Sequence, residues 1–186
     1  YWNGCYEAIA AANQALEAIE NGNYGSQVLQ YKGEALVARA YAHHMLAIFF
    51  AKSYEIGGAN DSPGIPYVTK PGTKVFGDFT RGTVKSTYEN IIADLEEGLK
   101  YVSDQNHKVP KYHFTKAAAH AFASRLYLFT GDWDKAVQHA TLAAPSGDFL
   151  SNLRPINTTF KNMTSGEFNA AFTRSDVKST LLLANC

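Results

Sequence analysis

The 186 residues contain only two cysteines, no excess of charge of either sign and no long apolar run. Each shortage excludes something. Seventeen basic and seventeen acidic side chains cancel, so no one-signed field draws a polyanion, and no nucleic-acid partner is expected. No stretch approaches the roughly 20 apolar residues that a membrane span needs. The opening "YWNGCYEAIA" lacks the basic and hydrophobic regions of a signal peptide. Cys5 and Cys186 lie near opposite ends without metal or redox spacing. They leave open both a disulfide and two ordinary thiols.

Motifs for catalysis are missing too. There is no Gly-x-Ser-x-Gly elbow and no phosphate-binding glycine loop, and no two histidines stand four apart. His43 and His44 are adjacent and diverge by about 100° on a helix, and His113 and His120 straddle a helix start. No catalytic residue, metal ligand or cofactor is therefore expected, and the chain is read as non-enzymatic. Asp94, Glu96 and Glu97 are read as a solvated helix face.

Helical periodicity and aromatic side chains are abundant. Ile9, Ala12, Leu16 and Ile19 place a first helix from Trp2 to about Asn21, and Tyr41, Met45, Ile48 and Phe49 a long second one from about Val28 to Tyr54. Val84, Tyr88, Ile91, Leu95 and Leu99 mark a third to about Val102, with Ser86 and Glu89 at capping-box spacing. Thr115 caps a fourth, which buries Ala118, Phe122, Leu126 and Phe129. Asp132 caps a fifth, which ends before Pro145 and turns Trp133, Val137, Ala140 and Ala144 inward. Arg39 and Arg125 interrupt apolar faces, so each is expected to reach a carboxylate or helix-end carbonyls.

Residues 55–83 break the pattern with five glycines and three prolines between Gly57 and Gly77. A connection of this length and aromatic content reads as a working surface. Tyr54, Tyr67, Phe76 and Phe79 could stack on sugar rings while Asn60, Asp61, Asp78 and Arg81 bond hydroxyls. The same residues could instead anchor the loop. From about Ser146 the chain is polar, dotted with aromatics and without a sustained 3.6 period, although "STLLLANC" could form a buried strand.

The segment "AAAHAFASRLYLFTGDWDKAVQHATLAA" has the form of a tetratricopeptide-type hairpin, with Trp133 filling its groove and alanines where the backbones approach. The fold class that follows is all-α, with irregular tetratricopeptide-like hairpins, a long loop insertion and an irregular C-terminal tail. Residues 1–145 form the helical region and 146–186 the irregular segment.

Four blocks in order resemble the SusD-like (RagB/SusD) outer-membrane nutrient-binding lipoproteins of Bacteroidetes. They are "GEALVARAYAHHMLAIFFAKSYEIGG", "GIPYVT", "RGTVKSTYENIIADLEEGL" and "YHFTKAAAHAFASRLYLFTGDWDKAVQHATLAA". The family pattern is matched by Glu34, Ala35, Arg39, Ala40 and Tyr41, by Pro66, and by Tyr88, Ile91, Asp94 and Leu95. Ser124, Arg125, Leu126, Tyr127 and Leu128 match its Ala-Arg-hydrophobic-Tyr-Leu helix, with Ser in place of Ala.

The resemblance covers about residues 1–172 and implies a cell-surface component that captures an oligosaccharide or other nutrient. It also implies a TonB-dependent (SusC-like) transporter as partner and a lipid anchor in the outer membrane. Family members are longer and begin with a lipidated Cys, which Cys5 does not match, so an N-terminal-half fragment is expected. A free-standing helical repeat that binds a peptide or protein through its hairpins is the rival reading.

Overall fold

The computed structural model describes residues 1–72, 79–105, 107–144, 153–154, 156–174, 176–177 and 179–182. Among the described residues six α-helices succeed one another: α1 (Trp2–Asn21), α2 (Leu29–Phe50), α3 (Val84–Leu99), α4 (Lys116–Thr130), α5 (Trp133–Ala143) and α6 (Ser165–Phe172). Pairing among the described residues is nearly all helical, with one isolated bridge between Pro63 and Thr83. The all-α, tetratricopeptide-like architecture expected from the periodicity is the one observed.

Helix ends follow local chemistry. Thr115 accepts from the Ala118 amide and Asp132 from the Lys135 amide, so both proposed caps are in place. The capping box of α3 sits one turn earlier than the spacing suggested: Thr83 and Ser86 serve each other, not Ser86 and Glu89. Helix α2 stops at Phe50 because Ala51 is extended (φ −119°, ψ 168°), short of the Tyr54 anticipated. Gly131 takes the left-handed conformation (φ 80°) that ends α4 and turns the chain into α5.

Helix α2 packs on α1 and α3, and α4 pairs with α5. One core joins Val37, Ala40 and Ala47 of α2 to Val84, Tyr88, Ile91 and Leu95 of α3 and to Ala119, Phe122, Ala123 and Leu126 of α4. A smaller cluster gathers Ile9, Ala42, Leu46 and Ile65 on the α1 side. Backbones come closest where α2 meets α3. A methyl group on Gly33 would lie 2.6 Å from the Val102 nitrogen, and one on Gly98 2.8 Å from Val37 Cγ2.

The hairpin of α4 and α5 is real, but its packing differs from expectation. Trp133 is 57% exposed and Val137 68%, while Ala136 is 3% exposed. The face of α5 that meets α4 carries Ala136, and the Ser124 hydroxyl donates to the Ala136 carbonyl (2.9 Å). His120 and His139 face each other with their Nδ1 atoms 2.9 Å apart. A spacing this tight has no room for an indole, so the helix phase turns Trp133 to the surface. Phe129 (38%) is likewise more exposed than its stripe suggested, and Arg125 lies exposed above the Phe129 ring (6.0 Å) instead of burying a charge.

In the tail, "TSGEF" carries a capping box, Thr164 with Glu167, which starts α6 where no helix was expected. Thr180 is buried and Leu181 and Leu182 pack on the main core, but without strand pairing; residues 183–186, Cys186 among them, lie outside the described residues.

Urea titration should separate the two kinds of site. Gly33→Ala forces a backbone shift and is expected to cost about 1–3 kcal/mol. Trp133→Ala, at an exposed position, should cost less than about 1 kcal/mol.

Candidate functional site

The long connection divides into an anchored part and a presented part. Anchoring centres on Arg39, whose Nε and Nη2 donate to Asp94 Oδ2 (2.7 Å) and Oδ1 (2.6 Å) in a two-point pair. Its Nη1 donates to Asn13 Oδ1 (2.8 Å) and to the Thr69 carbonyl (3.2 Å). Asp94 is therefore no solvated surface acid: it is the partner Arg39 was expected to need, and its side chain is 12% exposed.

Residues 66–70 are laid over this pair by side chains of three helices. Tyr6 of α1 donates to the Pro66 carbonyl (2.9 Å), and Asn13 donates to the Val68 carbonyl (3.0 Å). His43 of α2 accepts from the Val68 amide at Nε2 (3.0 Å), while its Nδ1 lies 2.9 Å from the Arg39 carbonyl. An acceptor at Nε2 and a carbonyl at Nδ1 together define a neutral imidazole protonated on Nδ1. Tyr67 stacks on that ring (centroids 3.8 Å) and donates to Asp94 Oδ2 (2.5 Å) and the Asn90 carbonyl (3.1 Å).

Burial first, then the charge of Asp94, pushes the Tyr67 phenol well above its ordinary value. Burial also lowers His43 to about 4. His44, enclosed by Tyr88, Phe122 and Phe129 with neither nitrogen hydrogen-bonded, is lowered to about 3, chiefly by burial and then by Arg125.

A second clasp closes the base of the loop. Arg81 donates to the carbonyls of Gly64 (2.7 Å) and Phe50 (3.3 Å), the Gly64 amide donates to Gly82, and the Val84 amide to Ser62. Gly64 is required there, because a methyl group would meet the Thr87 hydroxyl at 2.3 Å.

Between Phe50 and Ser62, residues 55–60 form a turn held by Asn60. This residue adopts φ 57° and bonds the Glu55 amide and carbonyl and the Gly58 carbonyl through its side chain. Ile56 reaches across to Gly131 in the α4–α5 turn.

The eight sequence candidates thus scatter. Tyr67, Asn60 and Arg81 are occupied in holding the loop. Tyr54 is half-buried against Tyr88 (centroids 4.9 Å) and lines a dent of about 180 Å³ with Asn60 and Lys85. Asp61 lines a neighbouring dent of about 190 Å³, and Phe79 is 59% exposed. Phe76 and Asp78 lie outside the described residues. A groove of about 710 Å³ opens on the other side of the loop, between α1, α2 and residues 69–71, with Glu17, Glu20, Lys32 and Lys70 on its walls.

Sequence reasoning passed over two groups. Asn13, 1% exposed, is a polar residue on the apolar stripe of α1, which was its signal. Glu34, His107 and His113 meet although no short spacing joins them.

A family model described as "Starch-binding associating with outer membrane" matches residues 1–128. SusD-like protein P2 of Formosa agariphila is 26% identical over 144 residues, 75% of this chain and 26% of that protein. A SusD superfamily protein from Bacteroides thetaiotaomicron superposes with a TM-score of 0.68 at 26% identity, over 82% of this chain and 33% of its own. A SusD-like carbohydrate binding protein from Bacteroides vulgatus shares the fold at a TM-score of 0.72 and 23% identity, over 95% and 35%. The chain thus spans about a quarter of the curated relative and about a third of these two structures.

Two outcomes are expected from stability measurements. Asp94→Asn leaves the Arg39 guanidinium buried without its counter-charge and should cost about 3 kcal/mol or more, against about 1 kcal/mol for Tyr67→Phe. Below pH 6.5 the unfolded chain protonates His43 and His44 while the folded one does not until about 4 and about 3. Stability should therefore be full above pH 6.5 and fall with pH, by roughly 2 kcal/mol per histidine at pH 5. A His43→Gln, His44→Gln double variant should lose most of that slope in chemical denaturation.

Proposed function

The chain belongs to the SusD-like family, and from that premise we propose that it is the helical portion of a non-enzymatic glycan-binding protein. In this reading the full-length protein is lipid-anchored at the outer membrane, faces outward and delivers oligosaccharide to a TonB-dependent, SusC-like transporter. Among the described residues no helix is long and apolar enough to cross a membrane, which accords with an anchor of another kind. The family match is the observation that carries the proposal.

The geometry suggests how this portion takes part. Three helices fix residues 66–70, so the turn at 55–61 and Phe79 project from a rigid base. Tyr54 and Phe79 offer ring faces and Asp61 a carboxylate, a combination suited to the alternating apolar faces and hydroxyls of a sugar chain. Without contributions from elsewhere in the longer protein, affinity should be weak, with a Kd on the order of 1 mM.

The exposed apolar pair Trp133 and Val137, one turn apart on α5, favours a second use of the fold, contact with another polypeptide surface.

Calorimetry and chemical-shift mapping of the 186-residue chain against a panel of starch-type and other oligosaccharides test the first reading. Shifts should concentrate at 54–61 and Phe79, and Tyr54→Ala and Phe79→Ala should each weaken binding about threefold or more. Tyr67→Phe should leave it within about twofold, since its hydroxyl is turned to Asp94. Shifts confined to α4 and α5, with full affinity in both alanine variants, would transfer the site to the hairpin and favour the peptide-binding rival.

A further inference from the structure

We propose that Glu34, His107 and His113 form a site for a divalent transition-metal ion of the zinc type, tying α2 to the connection between α3 and α4. Glu34 comes from α2 and the two histidines from one connection about 70–80 residues later, and one donor atom from each falls within 4.8 Å of the others. His113 Nδ1 lies 2.8 Å from Glu34 Oε1, and His107 Nε2 lies 3.7 Å from Glu34 Oε2. The two imidazoles are almost parallel (4°), with centroids 4.2 Å apart, so both present a nitrogen edge to the same carboxylate.

His107 supplies the second observation. Its side chain is 4% exposed, its Nδ1 is buried with no partner, and its Nε2 stands beyond hydrogen-bond distance from the carboxylate. A buried imidazole that makes no hydrogen bond is costly unless something else uses its lone pair. A metal ion between His107, His113 and Glu34 would use the lone pair of Nε2, the nitrogen that faces the carboxylate.

Donor chemistry selects the class of ion. Two imidazole nitrogens and one carboxylate suit zinc, cobalt, nickel or copper, whereas calcium and magnesium prefer oxygen-only sets. At metal–ligand distances near 2.1 Å, tetrahedral donors stand about 3.4 Å apart. Going from donor separations of up to 4.8 Å to that spacing needs side-chain shifts on the order of 1 Å.

The carboxylate is already oriented. Glu34 Oε1 accepts from the Phe114 amide (3.2 Å), an outer hydrogen bond of the kind that fixes ligands before a metal arrives. Three protein ligands leave one position for water. Since Phe114 sits beside Tyr41 in the core (5.6 Å), occupation would lock the entry to α4 against α2. The site is distinct from the loop proposed to meet glycan and has no part in that reading.

The other histidine pair, His120 and His139, is a built-in control: its Nδ1 atoms are close, but no third ligand joins them among the described residues. The 186-residue chain, stripped with chelator, would be titrated with ZnCl2 and with CoCl2. Expected are one equivalent bound, visible absorption of four-coordinate cobalt, and a higher melting temperature with zinc.

His107→Gln and His113→Gln should each weaken zinc binding at least about tenfold, with helicity kept by circular dichroism, while His139→Gln leaves it unchanged. Should either variant fail to fold, histidine ring resonances of the unmutated chain decide: zinc must shift those of His107 and His113 first. Absence of saturable binding, equal affinity in folded His107 and His113 variants, or shifts led by His120 and His139 would overturn the proposal.

Discussion

The pairing of Arg39 with Asp94 is the interaction on which the rest of this molecule depends. It joins α2 to α3 through two charge-assisted hydrogen bonds at 2.6 and 2.7 Å in a nearly dry setting. Burying two charges is costly, and their attraction alone does not guarantee a net gain. What makes the arrangement coherent is that every remaining polar atom has a task. The third guanidinium nitrogen takes Asn13 and Thr69, and the carboxylate takes Tyr67. Residues 66–70, in a stretch rich in glycine and proline, thereby acquire a fixed course across three helices without a regular ladder of their own.

The histidines follow from the same demand. His43 is neutral because its two nitrogens face a carbonyl and an amide, one needing a donor and the other an acceptor. His44, one residue on, faces only rings. Adjacent residues on one helix thus belong to opposite environments, the polar seam under the loop and the aromatic packing beneath α4.

Much of this was legible in the sequence. Periodicity located all five helices of residues 1–145, and the caps Thr115 and Asp132 were readable because capping is local. The need of Arg39 for a carboxylate was readable as well, but its partner was taken for a surface acid. Helix α3 turns Asp94 toward α2 while Glu97, three residues later, pairs with Lys32 and Lys100 at the surface, and only the tertiary fit distinguishes them. Trp133 was misplaced for a related reason: a motif gives the presence of a hairpin but not its spacing, and here the spacing suits alanine. Of the candidate site, the loop was visible by its composition. The division of its residues into those that anchor and those that face outward was not, since it depends on contacts up to 60 residues apart.

The crossing of α2 and α3 at Gly33 and Gly98 bears on motion. Where two helices meet through side chains, rotamer changes let one slide on the other. Here the neighbours of the glycines include backbone nitrogen, carbon and oxygen atoms, which have no rotamers to change. The α2–α3 pair is therefore a keel that moves as one piece. The α4–α5 hairpin meets this keel through side chains instead, with Ala119, Phe122, Ala123 and Leu126 set against Val37, Ala40, Tyr88 and Ile91, so whatever adjustment the described helices make falls to rotamers of that shared seam and not to the keel.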